Sequence, residues 1–159
     1  MLCIGRRDPI MQYIGIDVAK NGHVVASRLE DGTPHGKPFS FANGESGFAA
    51  LLKRFEELEA DPDDCIVAME STGHYWLPLW SFLDDHGYPV AVVNPLLTEA
   101  FRRATSTRKT KTDAVDALLI AEYARFKGLG PTPIPPETVE GAKVLTRYRS
   151  LLVKERSAL

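Results

Sequence analysis

The sequence predicts an α/β fold, and three observations carry that prediction. Short apolar stretches suited to strands recur around residues 13–18, 65–69 and 88–93; stretches with helical apolar spacing separate or follow them; and turn signals mark most of the junctions. At 159 residues, 44% hydrophobic and 25% charged, the chain has ordinary globular composition and enough length for one domain with a real core. The expected order is three strands, helix, strand, helix, strand, helix, followed by further helices.

Residues 1–10 have no strand or helix pattern and are expected to form a disordered leader, with Met11 a candidate start. Tyr13, Ile14, Ile16 and Val18 then mark a buried first strand ending near Asp17. The Asn21-Gly22 turn leads to a second strand from His23 to Leu29, and Asp31-Gly32 to a third over Lys37 to Phe41. Together these three make an antiparallel meander. Phe48, Leu51, Leu52, Phe55 and Leu58 repeat at helical spacing, with Asn43 or Ser46 as the expected cap. CIVAME is a β-rich run ending in Glu70, and HYWLPLWSFLDDHG reads as a helix with Pro78 in its first turns and Gly87 closing it. YPVAVVN is the next strand, and Pro95 opens a helix through PLLTEAFRRA.

From Thr105 to Thr112 no apolar residue occurs, which predicts a mobile loop. Asp113 starts a helix that runs to about Lys127. Residues 129–137 carry four prolines and read as a stiff linker, and from Thr138 the positions Val139, Ala142, Leu145, Tyr148 and Leu152 return to helical spacing. That stripe has no evident covering element, so self-association through the last helix is expected.

No run of about 18 apolar residues is present and the N-terminus lacks the apolar core of a secretory signal, so a cytoplasmic protein without a membrane span is expected. Cys3 and Cys65 have neither metal-ligand nor disulfide-framework spacing. The net charge is -2, but Arg102, Arg103, Arg108, Lys109 and Lys111 fall in a stretch without an acid between Glu99 and Asp113. By default such a segment is a solvated tether. Beside an acidic site, the same five cations suit a phosphate backbone and are the candidate nucleic-acid contacts.

Four acids are the candidate site. Asp17 closes the first strand, Glu70 the fourth, and Asp113 and Asp116 open the late helix, three residues apart on neighbouring faces. Each has a structural explanation on its own: Asp17 as a turn residue, Asp113 and Asp116 as acids favoured at a helix N-terminus. A half-buried Glu70 needs a partner. Two like charges at this spacing repel, and a divalent cation between them removes the penalty; hard oxygen ligands suit Mg²⁺ or Mn²⁺, in phosphodiester chemistry that uses such ions.

GIDVAK around Asp17, MESTGHYW around Glu70 and TRKTKTDAVDA around Asp113 and Asp116 resemble, in order and spacing, the N-terminal DEDD domain of the insertion-sequence transposases that include the Piv-type DNA invertases. The resemblance runs from about Met11 to about Lys127. It implies an RNase H-like, RuvC-like mixed sheet flanked by helices over residues 11–128, with Asp17, Glu70, Asp113 and Asp116 as a catalytic tetrad that binds Mg²⁺ or Mn²⁺ to cleave and rejoin DNA strands. It also implies a structured bridge RNA as a partner besides DNA, and residues 138–159 as the start of a coiled coil that joins protomers. The family's serine-containing C-terminal domain has no counterpart in this chain; Ser150 and Ser157 do not match its serine motif. The chain is therefore expected to be inactive alone. Two other classes compete with this reading: half of a sugar-kinase or actin-like ATPase, which lacks a second Gly-rich phosphate loop here, and a non-catalytic nucleic-acid-binding module.

Overall fold

The computed structural model describes residues 10–106 and 110–158, with the side chains of Ala142 and Thr146 set aside. Most of the expected leader, Cys3 among it, lies outside the described residues, as do Arg108 and Lys109 of the basic segment. Strand β1 spans Gln12–Asp17, β2 Gly22–Leu29 and β3 Phe39–Ala42; α1 spans Glu45–Glu57, β4 Cys65–Glu70, α2 Trp76–Asp85, β5 Val90–Val93, α3 Pro95–Thr105, α4 Asp113–Lys127 and α5 Pro136–Ser157. The described residues form a five-stranded sheet in the order β3-β2-β1-β4-β5. β1, β2 and β3 pair antiparallel, and β4 and β5 continue the sheet parallel to β1.

Side-chain alternation divides the sheet into two apolar layers. Ile14, Ile16, Val67 and Met69 face Phe48, Leu51 and Phe55 of α1 and Leu79 and Leu83 of α2. Ile66, Ala68, Ala91 and Val93 face the other way, toward Ile120, Tyr123 and Ala124 of α4, with Phe101 of α3 at the margin. Parity then fixes the acids: Asp17 is two residues beyond Gly15, and Glu70 two beyond Ala68, so both carboxylates share the α4 side. They also end adjacent parallel strands, one step past the Ile16–Met69 pair.

Helix α4 has the limits expected from sequence. Thr112 caps it, its side chain accepting from the Val115 amide, and Gly128 ends it in the left-handed conformation at φ 59°. What brings α4 onto β1 is Gly15. A Cβ placed there would lie 2.0 Å from the Ala117 carbonyl oxygen and 2.5 Å from the Ala121 amide nitrogen. Ala117, Ala121 and Ala124 are all fully buried, so the helix approaches the strand through its smallest side chains. Arg28 of β2 adds a polar clasp, its Nε donating to the Leu118 carbonyl at 3.2 Å and lying 3.7 Å from Glu122.

Several details depart from expectation. β3 starts at Phe39 rather than Lys37, because Lys37 lends its carbonyl to Arg54 of α1 instead. Neither Asn43 nor Ser46 caps α1: Gly44 occupies the cap position, Ser46 lies inside the helix, and the Asn43 side-chain Nδ2 donates to the Lys20 carbonyl. The proline-rich segment lies along the sheet edge, where the Thr132 amide donates to the Val90 carbonyl and its hydroxyl accepts from the Val92 amide, both at 2.9 Å. α5 begins two residues earlier than Thr138, with Pro136 in its first turn. Ile134 and Val139 pack on the core, so Val139 does not belong to the unpartnered stripe; the Ala142 side chain lies outside the description.

Replacing Gly15 with Ala tests the α4 contact. The added methyl meets backbone on α4, which cannot rotate away, so Gly15→Ala should destabilise the chain by about 3 kcal/mol or more, at the upper end of overpacking costs. Denaturant unfolding measures this, and an unchanged midpoint would contradict so close an approach.

Candidate metal centre

The four acids reach one end of the sheet by different routes. β1 delivers Asp17 and β4 delivers Glu70 at their C-terminal ends, while the first turn of α4 brings Asp113 and Asp116 over the strand that Gly15 leaves open. One carboxylate oxygen from each of Asp17, Asp113 and Asp116 lies within 4.8 Å of the other two, an arrangement able to hold a metal ion. Asp113 is exposed, Asp17 half-buried, and Asp116 only 8% exposed. Asp113 also borders an open groove of about 470 Å³ along the ends of β2 and β3, between Gly22, His23, Ser40 and Ala42. Glu70 is not part of the three-carboxylate group, but it is close enough for its charge to act on Asp17.

The electrostatics follow from the crowding. Burial, and then the negative charges of Asp116, Asp113 and Glu70, push the Asp17 carboxyl up to about 6, with Lys111 opposing the shift. Asp116 tolerates its burial through a direct counter-ion: Nη2 of Arg102 donates to its Oδ1 at 2.6 Å. Arg102, expected to face a phosphate backbone, is thus bonded inside the protein, with its Nε 3.3 Å from Glu99 as well. Arg103 is exposed and pairs with Glu99 at 3.2 Å, and Lys111 is exposed beside the acids. Glu70 receives a hydrogen bond from the hydroxyl of Thr98 in α3.

Sequence reasoning named the four acids but missed Thr98 and the Arg102 pairing. Both are i, i+4 partners on α3, and their spacing was visible. Nothing local says that this face of α3 turns toward the strand ends. Of the other polar groups nearby, His23 is buried against Phe41 and Phe48, accepts from the Ala19 amide at Nδ1, and burial lowers its proton affinity. Cys65 is buried, with its thiol pushed up to about 12 mainly by burial, which leaves it unreactive.

Residues 14–159 match a family of transposases of the IS110 DEDD type. Among curated proteins, the pilin gene-inverting protein of Moraxella lacunata is 32% identical over 111 residues, covering 70% of this chain and 33% of that protein, and its Moraxella bovis counterpart matches equally. The insertion element IS116 uncharacterized 44.8 kDa protein of Streptomyces clavuligerus is 30% identical over 150 residues, 92% of this chain and 36% of that protein. The chain thus spans about a third of the length of the curated relatives it matches. Among solved structures, Thermus thermophilus RuvC in complex with a Holliday junction substrate superposes with a TM-score of 0.50 over 76% of this chain and 98% of RuvC. At 13% identity that likeness establishes the RNase H-like fold.

Crowded carboxylates predict a pH signature in metal-free protein. The folded state holds the Asp17 proton more tightly than the unfolded chain, whose carboxyl titrates near 3.9, so no penalty exists below about pH 4. Stability is lost as pH rises from about 4 to about 6 and stays lost above. Asp17→Asn should remove that slope and stabilise the metal-free chain at pH 7 by about 1 to 2 kcal/mol, allowing for screening of a partly solvated group. Denaturation of both proteins in chelator from pH 4 to 8 measures the difference, and a pH-independent difference would contradict the crowding.

Proposed function

The chain belongs to the IS110-type DEDD transposase family, and on that premise we propose that Asp17, Glu70, Asp113 and Asp116 are the metal-binding catalytic tetrad of a DNA recombinase domain. The observation that carries the reading is the convergence of three aspartates within 4.8 Å on a fold shared with RuvC. The donor set suits the ion: every candidate ligand is a carboxylate oxygen, the preference of Mg²⁺ and Mn²⁺, and the Asp17 carboxyl is raised by burial and then by the neighbouring negative charges, which a cation would offset. Asp17, Asp113 and Asp116 would hold the ion, with Glu70 completing the set from the neighbouring strand. A divalent ion bound there supplies charge stabilisation at a phosphodiester and a nucleophile at neutral pH.

The chain's own residues do the remaining work. Gly15 and the buried alanines of α4 hold the carboxylates at fixed separation, so ligand geometry is set before substrate arrives. Lys111, exposed beside the acids, and the exposed Arg103 are proposed to position the phosphate backbone, together with Arg108 and Lys109 of the same segment. DNA is the proposed substrate, in the cytoplasm. Among the described residues no helix is long and apolar enough to cross a membrane. The family resemblance adds a structured guide RNA as a proposed partner. It also favours a second copy joined through α5, whose Val144, Leu145, Tyr148, Leu151, Leu152 and Val153 are exposed. Strand exchange by the whole protein would draw on the two thirds of its relatives' length that this chain does not span.

Titration with Mn²⁺ tests the reading. Millimolar ion should raise the melting temperature by ordinary linkage, the gain should vanish in Asp113→Asn, and it should weaken below about pH 6 as Asp17 takes up its proton. In the same buffers, affinity for duplex DNA should fall steeply with salt, and Lys111→Ala should flatten the log-log slope by about one unit. A wild-type chain whose melting ignores the ion would contradict the metal site, and an unchanged salt slope would contradict the phosphate contact.

A further inference from the structure

Helix α3 touches the acidic site twice through one face. Thr98 and Arg102 are four residues apart, hence one above the other on the helix. Thr98 bonds Glu70 from β4, and Arg102 bonds Asp116 from α4. The helix is itself well fixed, by the Asn94 side chain accepting from the Leu96 amide at its start and by Phe101 against Tyr123 and Phe126 of α4. Thr98 is 2% exposed, and this hydroxyl has a choice of acceptor. The Pro95 carbonyl lies 3.0 Å away, within its own helix, and Glu70 Oε1 is also within its reach. A hydroxyl has one proton to donate, and a carboxylate is the stronger acceptor by roughly twofold over a neutral carbonyl. The bond to Glu70 is therefore the one made, although the threonine could have satisfied itself locally.

We propose that Thr98 is a positioning residue for Glu70: by holding Oε1 it fixes the carboxylate beside Asp17, where its charge already acts, with Arg102 on the same face of α3 holding Asp116. The proposal rests on the metal-site reading above and adds to it a residue outside the tetrad. Oε2 takes no hydrogen bond or ion pair among the described residues, which leaves it available to an ion. A glutamate at a strand end has three rotatable side-chain bonds and, without the hydroxyl, would spread over several rotamers. Fixing one oxygen removes that freedom before a metal arrives, as outer partners do for carboxylate ligands generally. Valine has nearly the same shape, so Thr98→Val keeps the packing while removing the hydroxyl, and metal-free melting reads any cost to the fold.

The test compares the Mn²⁺ concentration giving half the maximal melting gain in wild type, Thr98→Val, Thr98→Ala and Thr98→Ser, with metal-free melting as the folding control. Both hydroxyl-free variants should need about 10-fold more ion or higher, and Thr98→Ser should stay within about 3-fold of wild type. A wild-type midpoint in Thr98→Val and Thr98→Ala would overturn the proposal, as would a serine variant as weak as valine. A wild-type chain with no Mn²⁺ response would instead overturn the metal-site reading and this proposal with it, so the two failures are distinguishable.

Discussion

The contact between Gly15 of β1 and the backbone of α4 sets the geometry on which the rest of the site depends. A side chain at that position would occupy the space of the Ala117 carbonyl, so only glycine lets a helix lie this close to the strand. With the helix seated, its first turn overhangs the end of β1, and Asp113 and Asp116 meet Asp17. Strand alternation does the rest. The same parity that sends Ile14 and Ile16 into the α1 and α2 layer sends Gly15 toward α4 and Asp17 to the acidic end.

Crowding acids in this way costs stability, and the fold meets the cost unevenly. Asp116, the most buried, has an arginine; Glu70 has a threonine hydroxyl; Asp17 has neither among the described residues and responds by holding its proton up to about 6. Asp17 ends β1 beside the other acids with only the Lys111 charge opposing them, and an added cation there would relieve it. Buried partners of this kind contribute little net stability against apolar substitutes, so their value lies in orientation. α3 supplies both of the orienting groups, and its N-terminal cap and aromatic contacts to α4 make it rigid enough to do so.

Much of this architecture was legible in the sequence, because its signals are local. Thr112 before Asp113 and Gly128 after Lys127 bracket α4, Pro95 opens α3, and the apolar runs in QYIGID and CIVAME mark both strands. The four acids were readable as strand-end and helix-start residues, and the ESTG and KTDAVDA blocks gave their resemblance to the DEDD family. Where reading failed, the deciding contact was long-range. Asn43 was expected to cap α1 but serves the Lys20 carbonyl across the sheet, and Arg102 looked like a surface cation until α3 was seen to face Asp116. Thr98 lies 28 residues from Glu70, and the helix that packs on Gly15 begins almost a hundred residues later, so neither role has a periodic signature.

Gly15 and α4 together shape a proposed divalent-ion site from carboxylates of β1, β4 and α4. Anomalous diffraction from crystals of the chain grown with Mn²⁺ measures this most directly. An anomalous peak should lie roughly 2.1 Å from carboxylate oxygens of Asp17, Asp113 and Asp116, with Glu70 at its edge. Strong Mn²⁺ peaks elsewhere on the surface, with none among these aspartates, would contradict it.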